Sequence, residues 1–296
     1  MILVIGASNL LGYEICRRLL ADRERIRILV GGGTRSSRVA ALSSAGAELV
    51  HGNLNHLPAV AAACQGADAV IGTDAAMLPD EPGEAFDRQC ARNLVEFACA
   101  LAIPRLIYVT VPRGFRTDCS LLKAREELME RLTRRRMRHS VLCANFFMET
   151  WLSPAMGFDH PNAKAVIFGD GTRPIAWVSC RDVAQMAVGC LHAENRRDGY
   201  LAVDGPENLT PLEAVRIFEE AAGRRFDVTH VAAPALEREY QKATDPATEA
   251  LAALKLEYAR GCPIDAHAAK PASQSLLHVK EFADSVRQVY AHGSGA

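Results

Sequence analysis

The sequence predicts an α/β fold, a doubly wound parallel sheet with a smaller C-terminal α/β lobe. Three observations predict it: an apolar run that ends in a glycine turn, an alternation of short Val/Ile/Leu runs with amphipathic stretches, and a composition able to fill a large core. The first is local. Ile2 to Ile5 is apolar, Gly6-Ala7-Ser8-Asn9-Leu10-Leu11-Gly12 follows, and Tyr13 to Leu20 has helical periodicity. A turn without side chains lets backbone approach a pyrophosphate, and the free N–H groups and dipole at the helix start favour its negative charge. Gly6 makes the turn, and Gly12 lets the helix pack close to the strand.

The alternation then continues. Ile26 to Val30 reads as a strand, Arg38 to Ala45 as a helix, Glu48 to Val50 as a third strand and Leu57 to Cys64 as a helix. Ala67 to Ile71 is a fourth strand, Glu84 to Ala102 a helix, Leu106 to Val111 a fifth strand, Leu121 to Arg135 a helix and Ser140 to Cys143 a sixth strand. Such runs argue for a parallel sheet covered on both faces. Its ligand belongs beyond the carboxyl ends of the strands.

A chain of 296 residues that is 49% hydrophobic suits one such domain with an appended lobe. We divide it into residues 1–150, to which 176–193 return, and 151–296. The net charge of -1 argues against nucleic acid or an anionic membrane as partner. No stretch has the length of a membrane span and no leader is visible, so a cytoplasmic protein is expected. The nine cysteines are scattered without a C-x-x-C pair and read as reduced core residues, and neither they nor the histidines show metal-ligand spacing. Arg134-Arg135-Arg136 lies at a helix end, where cations complement the dipole, and reads as a solvated face.

Taken together, several motifs resemble the NmrA-like branch of the atypical short-chain dehydrogenase/reductases. They are the glycine turn, Gly52-Asn53-Leu54 after the third strand, Arg105 to Thr110 at the fifth, Lys123, Asn145-Phe146-Phe147-Met148-Glu149, and Trp177 to Ala184. The resemblance implies a Rossmann NAD(P)-binding domain, and a family of quinone reductases, isoflavone-reductase-like enzymes and cofactor-sensing regulators. Two departures stand out. Asn9 replaces a glycine of the first turn, a position where asparagine tolerates a left-handed backbone. Asn53 stands where the family often has an aspartate.

An acidic residue after the second strand would select NAD, whereas arginine accommodates the 2′-phosphate of NADP. Here Gly31-Gly32-Gly33-Thr34 leads to Arg35-Ser36-Ser37-Arg38, which favours NADP. The expected cofactor-binding set is Gly6, Ser8, Asn9, Leu10, Leu11, Gly12, Arg35, Ser36, Arg38, Asn53, Leu54, Thr73 and Lys123.

Standard members of the superfamily place a tyrosine four residues before a lysine. Here Cys119 precedes Lys123 at that spacing. The resemblance implies that the lysine alone orients cofactor and proton transfer. Three proton donors stay open: Lys123, directly or through a water; a tyrosine or histidine of the C-terminal lobe; and Cys119 near a cation. Thr110, at the end of the fifth strand, stands where the superfamily places a hydroxyl facing the substrate. Lys123 and Thr110 are therefore the expected catalytic pair. Phe146, Phe147, Met148 and Trp151 would wall an apolar pocket suited to a quinone or enone.

Beyond this point the pattern weakens. Ala163 to Phe168 and Val228 to Val231 suggest strands, Val183 to His192 a helix capped by Asp182, and Thr210-Pro211-Leu212-Glu213 a helix start. Glu237 to Arg260 reads as one long helix and Phe282 to Tyr290 as another. Two functions follow: an NADP-dependent reductase that transfers a hydride to a small apolar carbonyl, enone or quinone, or a catalytically silent NADP-binding regulator acting through protein partners. Whether the chain forms a homodimer is left open.

Overall fold

The computed structural model describes residues 1–31, 36–73, 88–192, 198–268 and 276–293, with 289–293 as backbone alone. Seven strands form the large sheet: β1 (Ile2–Ile5), β2 (Ile26–Val30), β3 (Glu48–His51), β4 (Ala69–Thr73), β5 (Leu106–Thr110), β6 (His139–Ala144) and β9 (Gly199–Val203). Their spatial order is β3-β2-β1-β4-β5-β6-β9, and every pairing is parallel. The chain steps outward from β1 to β3, then crosses back to add β4 on the other side of β1. That reversal leaves a crevice beyond the carboxyl ends of β1 and β4.

Alternation along the strands divides the core between two faces. On one side Val4, Ile28, Ile71, Ile107 and Leu142 meet α1 (Leu10–Ala21), α2 (Ser37–Ser44) and α7 (Cys180–Gly189). On the other, Leu3, Leu29, Val70, Leu106 and Val141 meet α3 (Leu57–Cys64), α4 (Arg88–Ala100) and α5 (Ser120–Arg134). The sheet is thus doubly wound, as the apolar runs predict. The arginines at the end of α5 face solvent in ion pairs: Arg131 with Glu96 and Glu127, Arg134 with Glu130, and Arg135 with Glu96. All nine cysteines are free thiols, seven of them buried.

Several elements depart from the sequence pattern for identifiable reasons. Strand β4 starts two residues later than expected, because Asp68 turns the chain: its N–H donates to the Met1 carbonyl, and its carboxylate pairs with the chain's amino group. Helix α4 ends where Ala102 adopts φ +50°, and the expected residues 84–87 lie outside the described segments. Helix α7 starts at Cys180 with Ser179 as its cap. The expected cap, Asp182, lies in the first turn and instead accepts from the Leu277 N–H at 2.9 Å.

The second lobe has its own sheet, ordered β10-β8-β7, from β7 (Phe158–Asp159), β8 (Lys164–Phe168) and β10 (Asp227–Val231). Helix α8 (Pro211–Ala222) opens with a complete capping box between Thr210 and Glu213. The single helix expected over 237–260 is two, α9 (Ala233–Lys242) and α10 (Pro246–Arg260). Pro246 cannot continue a helix from its N-terminal side, and the Asp245 carboxylate caps the new one by accepting from the Ala247 and Thr248 N–H groups, both at 3.0 Å. A last helix, α11 (Val279–Gly293), packs on α8.

One buried carboxylate ties this lobe to the large sheet. Glu257 of α10 accepts at Oε1 from the Thr117 N–H (2.7 Å), the Thr117 hydroxyl (2.5 Å), the Arg116 N–H (3.0 Å) and Arg260 (2.6 Å). The loop after β5 is thereby clamped to α10. Replacing Glu257 by alanine strands those donors, and we expect urea denaturation to show a loss of about 2–4 kcal/mol, with a smaller loss in Glu257→Gln.

Candidate functional site

The crevice is built from the turn upward. Gly6 has φ +86°, and a Cβ there would lie 2.2 Å from Thr73 Oγ1. At Gly12 a Cβ would lie 2.1 Å from the Gly6 carbonyl oxygen, so α1 can sit this close to β1 only without a side chain. Asn9 is not left-handed as expected. Its φ is -76° and it caps α1, its Oδ1 accepting from the Gly12 N–H at 2.7 Å while its Nδ2 donates to Thr73 Oγ1 at 2.8 Å. The asparagine therefore replaces glycine by bonding across the turn, not by bending it. The first N–H groups of α1, at Leu10 and Leu11, lie ahead of any intrahelical acceptor, the general setting in which helix starts bind anions.

Beside the turn, Arg38 donates to the Ser8 carbonyl at 3.1 Å, and Ser36 caps α2 by accepting from the Val39 N–H. Both therefore lie beside the glycine turn. Arg35 falls outside the described residues. Asn53 accepts from the Asn55 N–H at 2.9 Å, turning the chain after β3, and buried Leu54 packs beneath it. A glycine cradle with no room for a Cβ, a helix start and an adjacent arginine fit a dinucleotide.

The crevice opens into a cleft lined by Asn9, Leu11, Thr73, Thr110, Phe146, Phe147, Trp151 and others. Its empty space, open mouth included, is about 690 Å³. Thr110 closes its floor at the end of β5. It is 4% exposed, and its hydroxyl has no hydrogen-bond partner among the described residues. Phe146 and Trp151 meet edge to face at 4.9 Å in one wall. Met148, expected with them, is in the core instead. On the helical turn α6 (Met148–Trp151) positions 147, 150 and 151 share one face, and 148 points the other way.

Lys123 stands apart from the cleft lining. Its ammonium pairs with Asp118 at 2.9 Å, the hydrogen bond that raises its pKa, and it borders a separate recess with Arg88, Gln89, Arg92 and Ser120. Cys119 is buried and outside the cleft lining; burial pushes its thiol up, and Glu249 and Asp118 reinforce the shift. No tyrosine or histidine appears in the cleft lining among the described residues. Tyr240 donates to the Asp118 carbonyl near Lys123, and Tyr258 is buried among Phe146, Trp151 and Trp177.

Other wall residues had only a positional signal in the sequence. Val111, Pro112 and Phe115 follow a strand end, where ligands are expected; Leu254 comes from α10, far along the chain. Glu149 holds α6 to the start of α7, accepting from the Ser179 hydroxyl at 2.6 Å and the Cys180 N–H at 2.9 Å, while burial raises its pKa.

Residues 1–283 match the model of the NmrA-like family. The chain belongs to this family. Among curated relatives, a (4-alkanoyl-5-oxo-2,5-dihydrofuran-3-yl)methyl phosphate reductase of Streptomyces griseus is 30% identical over 77% of this chain and 76% of its own. Among solved structures, a leucoanthocyanidin reductase of Vitis vinifera in binary complex with NADPH superposes with a TM-score of 0.74 at 17% identity, over 96% of this chain and 98% of that one. An NADPH-dependent quinone oxidoreductase of Escherichia coli, complexed with NADPH, gives the same score and identity over 97% and 100%. Both share the NmrA-like family's doubly wound fold with this chain. No helix among the described residues is long and apolar enough to cross a membrane.

Asn9→Ala should test the interlocked turn. It removes a helix cap and the donor to buried Thr73, so thermal melts should show a loss of about 1–2 kcal/mol.

Proposed function

We propose that this chain is an NADPH-dependent reductase that passes a hydride to a small apolar carbonyl, enone or quinone. The observation that carries this reading is the apolar cleft at the reversal of strand order, with a buried hydroxyl, Thr110, at the end of β5. The reductase name of the Streptomyces griseus relative and the NADPH complexes among the structural neighbours support it. Bound NADPH would supply the hydride.

The chain's own residues do the rest. The N–H groups at the start of α1 take the pyrophosphate, and Arg38, with Arg35, takes the 2′-phosphate. Phe146, Phe147 and Trp151 exclude water and present flat surfaces to an aromatic or conjugated acceptor. Thr110 donates its hydroxyl to the acceptor's oxygen, where negative charge builds as the acceptor is reduced. Lys123, which pairs with Asp118 outside the cleft lining, would have to leave that partner to deliver the proton that completes the reduction.

Calorimetric titration with NADPH and NADH, followed by a panel of quinones and enones, tests the proposal. Arg38→Ala should weaken NADPH by roughly 10- to 100-fold and leave NADH nearly unchanged, since only the former carries the phosphate. Tight NADPH binding without turnover of any acceptor would favour the silent regulator; no binding of either cofactor would end both readings. Lys123→Ala should lower kcat/KM at least about tenfold with the NADPH Kd within about threefold, in keeping with a proton-transfer role. An unchanged kcat/KM would leave Lys123 as the surface partner of Asp118.

A further inference from the structure

The cleft holds a second hydroxyl with nothing to bond. Thr150 of α6 is 7% exposed, lines the same cleft as Thr110, and its Oγ1 likewise has no hydrogen-bond partner among the described residues. Folded proteins pair nearly all buried polar groups. Two unpaired hydroxyls from separate elements, lining one cleft, therefore call for a cause.

The local backbone does not supply one. A threonine in a helix usually donates to the carbonyl one turn earlier. Here the Phe146 carbonyl already accepts from the Val178 N–H at 3.0 Å, and the Phe147 carbonyl from the N–H groups of Thr150 and Trp151. Nor do the other polar side chains of the cleft serve as partners. Asn9 and Thr73 bond to each other, and the Asn145 amide is taken up by Asp204, the Cys262 carbonyl and the Phe146 N–H. The remaining wall is largely apolar, from Val111, Pro112, Phe115 and Leu254. Thr110 and Thr150 carry the cleft's unspent side-chain hydroxyls among the described residues.

We propose that Thr150 is a second substrate-binding residue, its hydroxyl joining that of Thr110 on the carbonyl oxygen of a flat apolar acceptor. For Thr110 this rests on the proposed reductase function; for Thr150 it rests on the unpaired hydroxyl and its place in the cleft. Such a site discriminates by the oxygen. An acceptor that carries a carbonyl satisfies both hydroxyls, while the same ring system without one leaves them buried and unpaired.

The probe pair is 1-tetralone and tetralin, which share a ring system and differ in the carbonyl. Equilibrium dialysis against the cofactor-free protein should show 1-tetralone bound at least about tenfold more tightly than tetralin. Thr150→Val, which keeps the shape and removes the hydroxyl, should reduce that preference about five- to tenfold with tetralin affinity within about twofold. Thr150→Ser should retain the preference, and a thermal melt of Thr150→Val no lower than that of the parent shows that the fold survives.

The proposal is overturned if Thr150→Val binds 1-tetralone as the parent does, or if both probes weaken equally. It is equally overturned if the parent shows no preference. These results are independent of NADPH. A protein that fails to bind cofactor but keeps the Thr150-dependent preference refutes the reductase and retains the oxygen site; an active reductase indifferent to Thr150→Val refutes the oxygen site alone.

Discussion

The bond from Asn9 to Thr73 fixes the floor on which the whole site stands. It joins the start of α1 to the end of β4 across the reversal of strand order, where a doubly wound sheet would otherwise gape. The fit around it leaves almost no freedom. Thr73 fills the space a Cβ at Gly6 would need, and the Gly6 carbonyl fills the space a Cβ at Gly12 would need. Asn9 takes one N–H of the first turn of α1 for itself, through Gly12, and leaves those ahead of it for an anion. A glycine at position 9 would expose more backbone but hold it less firmly. The asparagine takes up one donor of the helix start and in return holds the turn from both sides by two side-chain hydrogen bonds.

The parts of the fold that were legible in the sequence are those buried on both faces. Strand β1 is a continuous Ile/Leu/Val run, and β2 and β5 depart from one only at Arg27, Tyr108 and Thr110, because helices cover each side; such runs stand out from their neighbours. The edge strand β9 does not. Gly199-Tyr200-Leu201-Ala202-Val203 begins at a left-handed glycine and leaves Tyr200 exposed, so its pattern is too mixed to mark a strand. The split between α9 and α10 was marked by Asp245-Pro246, a cap and a helix breaker, within a stretch whose apolar spacing otherwise runs through.

The candidate site divides the same way. Gly6, Asn9, Gly12 and Thr110 follow from their positions at strand ends, which topology alone places together. Phe147 and Trp151 were separable from Met148 only once the single turn of α6 was known. Leu254 reaches the cleft through a contact made late in the chain, and no local pattern encodes that. The partner of Lys123 is local, Asp118 five residues before it, but the spacing alone does not fix which way that carboxylate turns.

An unpaired buried hydroxyl costs about 1–3 kcal/mol, so Thr110 and Thr150 together set a considerable strain against the stability of the fold. The apolar walls that impose this cost also magnify its return, because a hydrogen bond completed in a low-dielectric cleft is stronger than one in water. The clamp at Glu257 shares in that balance. It holds the loop bearing Phe115 against α10, which bears Leu254, and both residues line the cleft. Glu257 is itself outside the cleft lining, so two of the cleft's wall residues owe their mutual position to a carboxylate that does not touch the cleft.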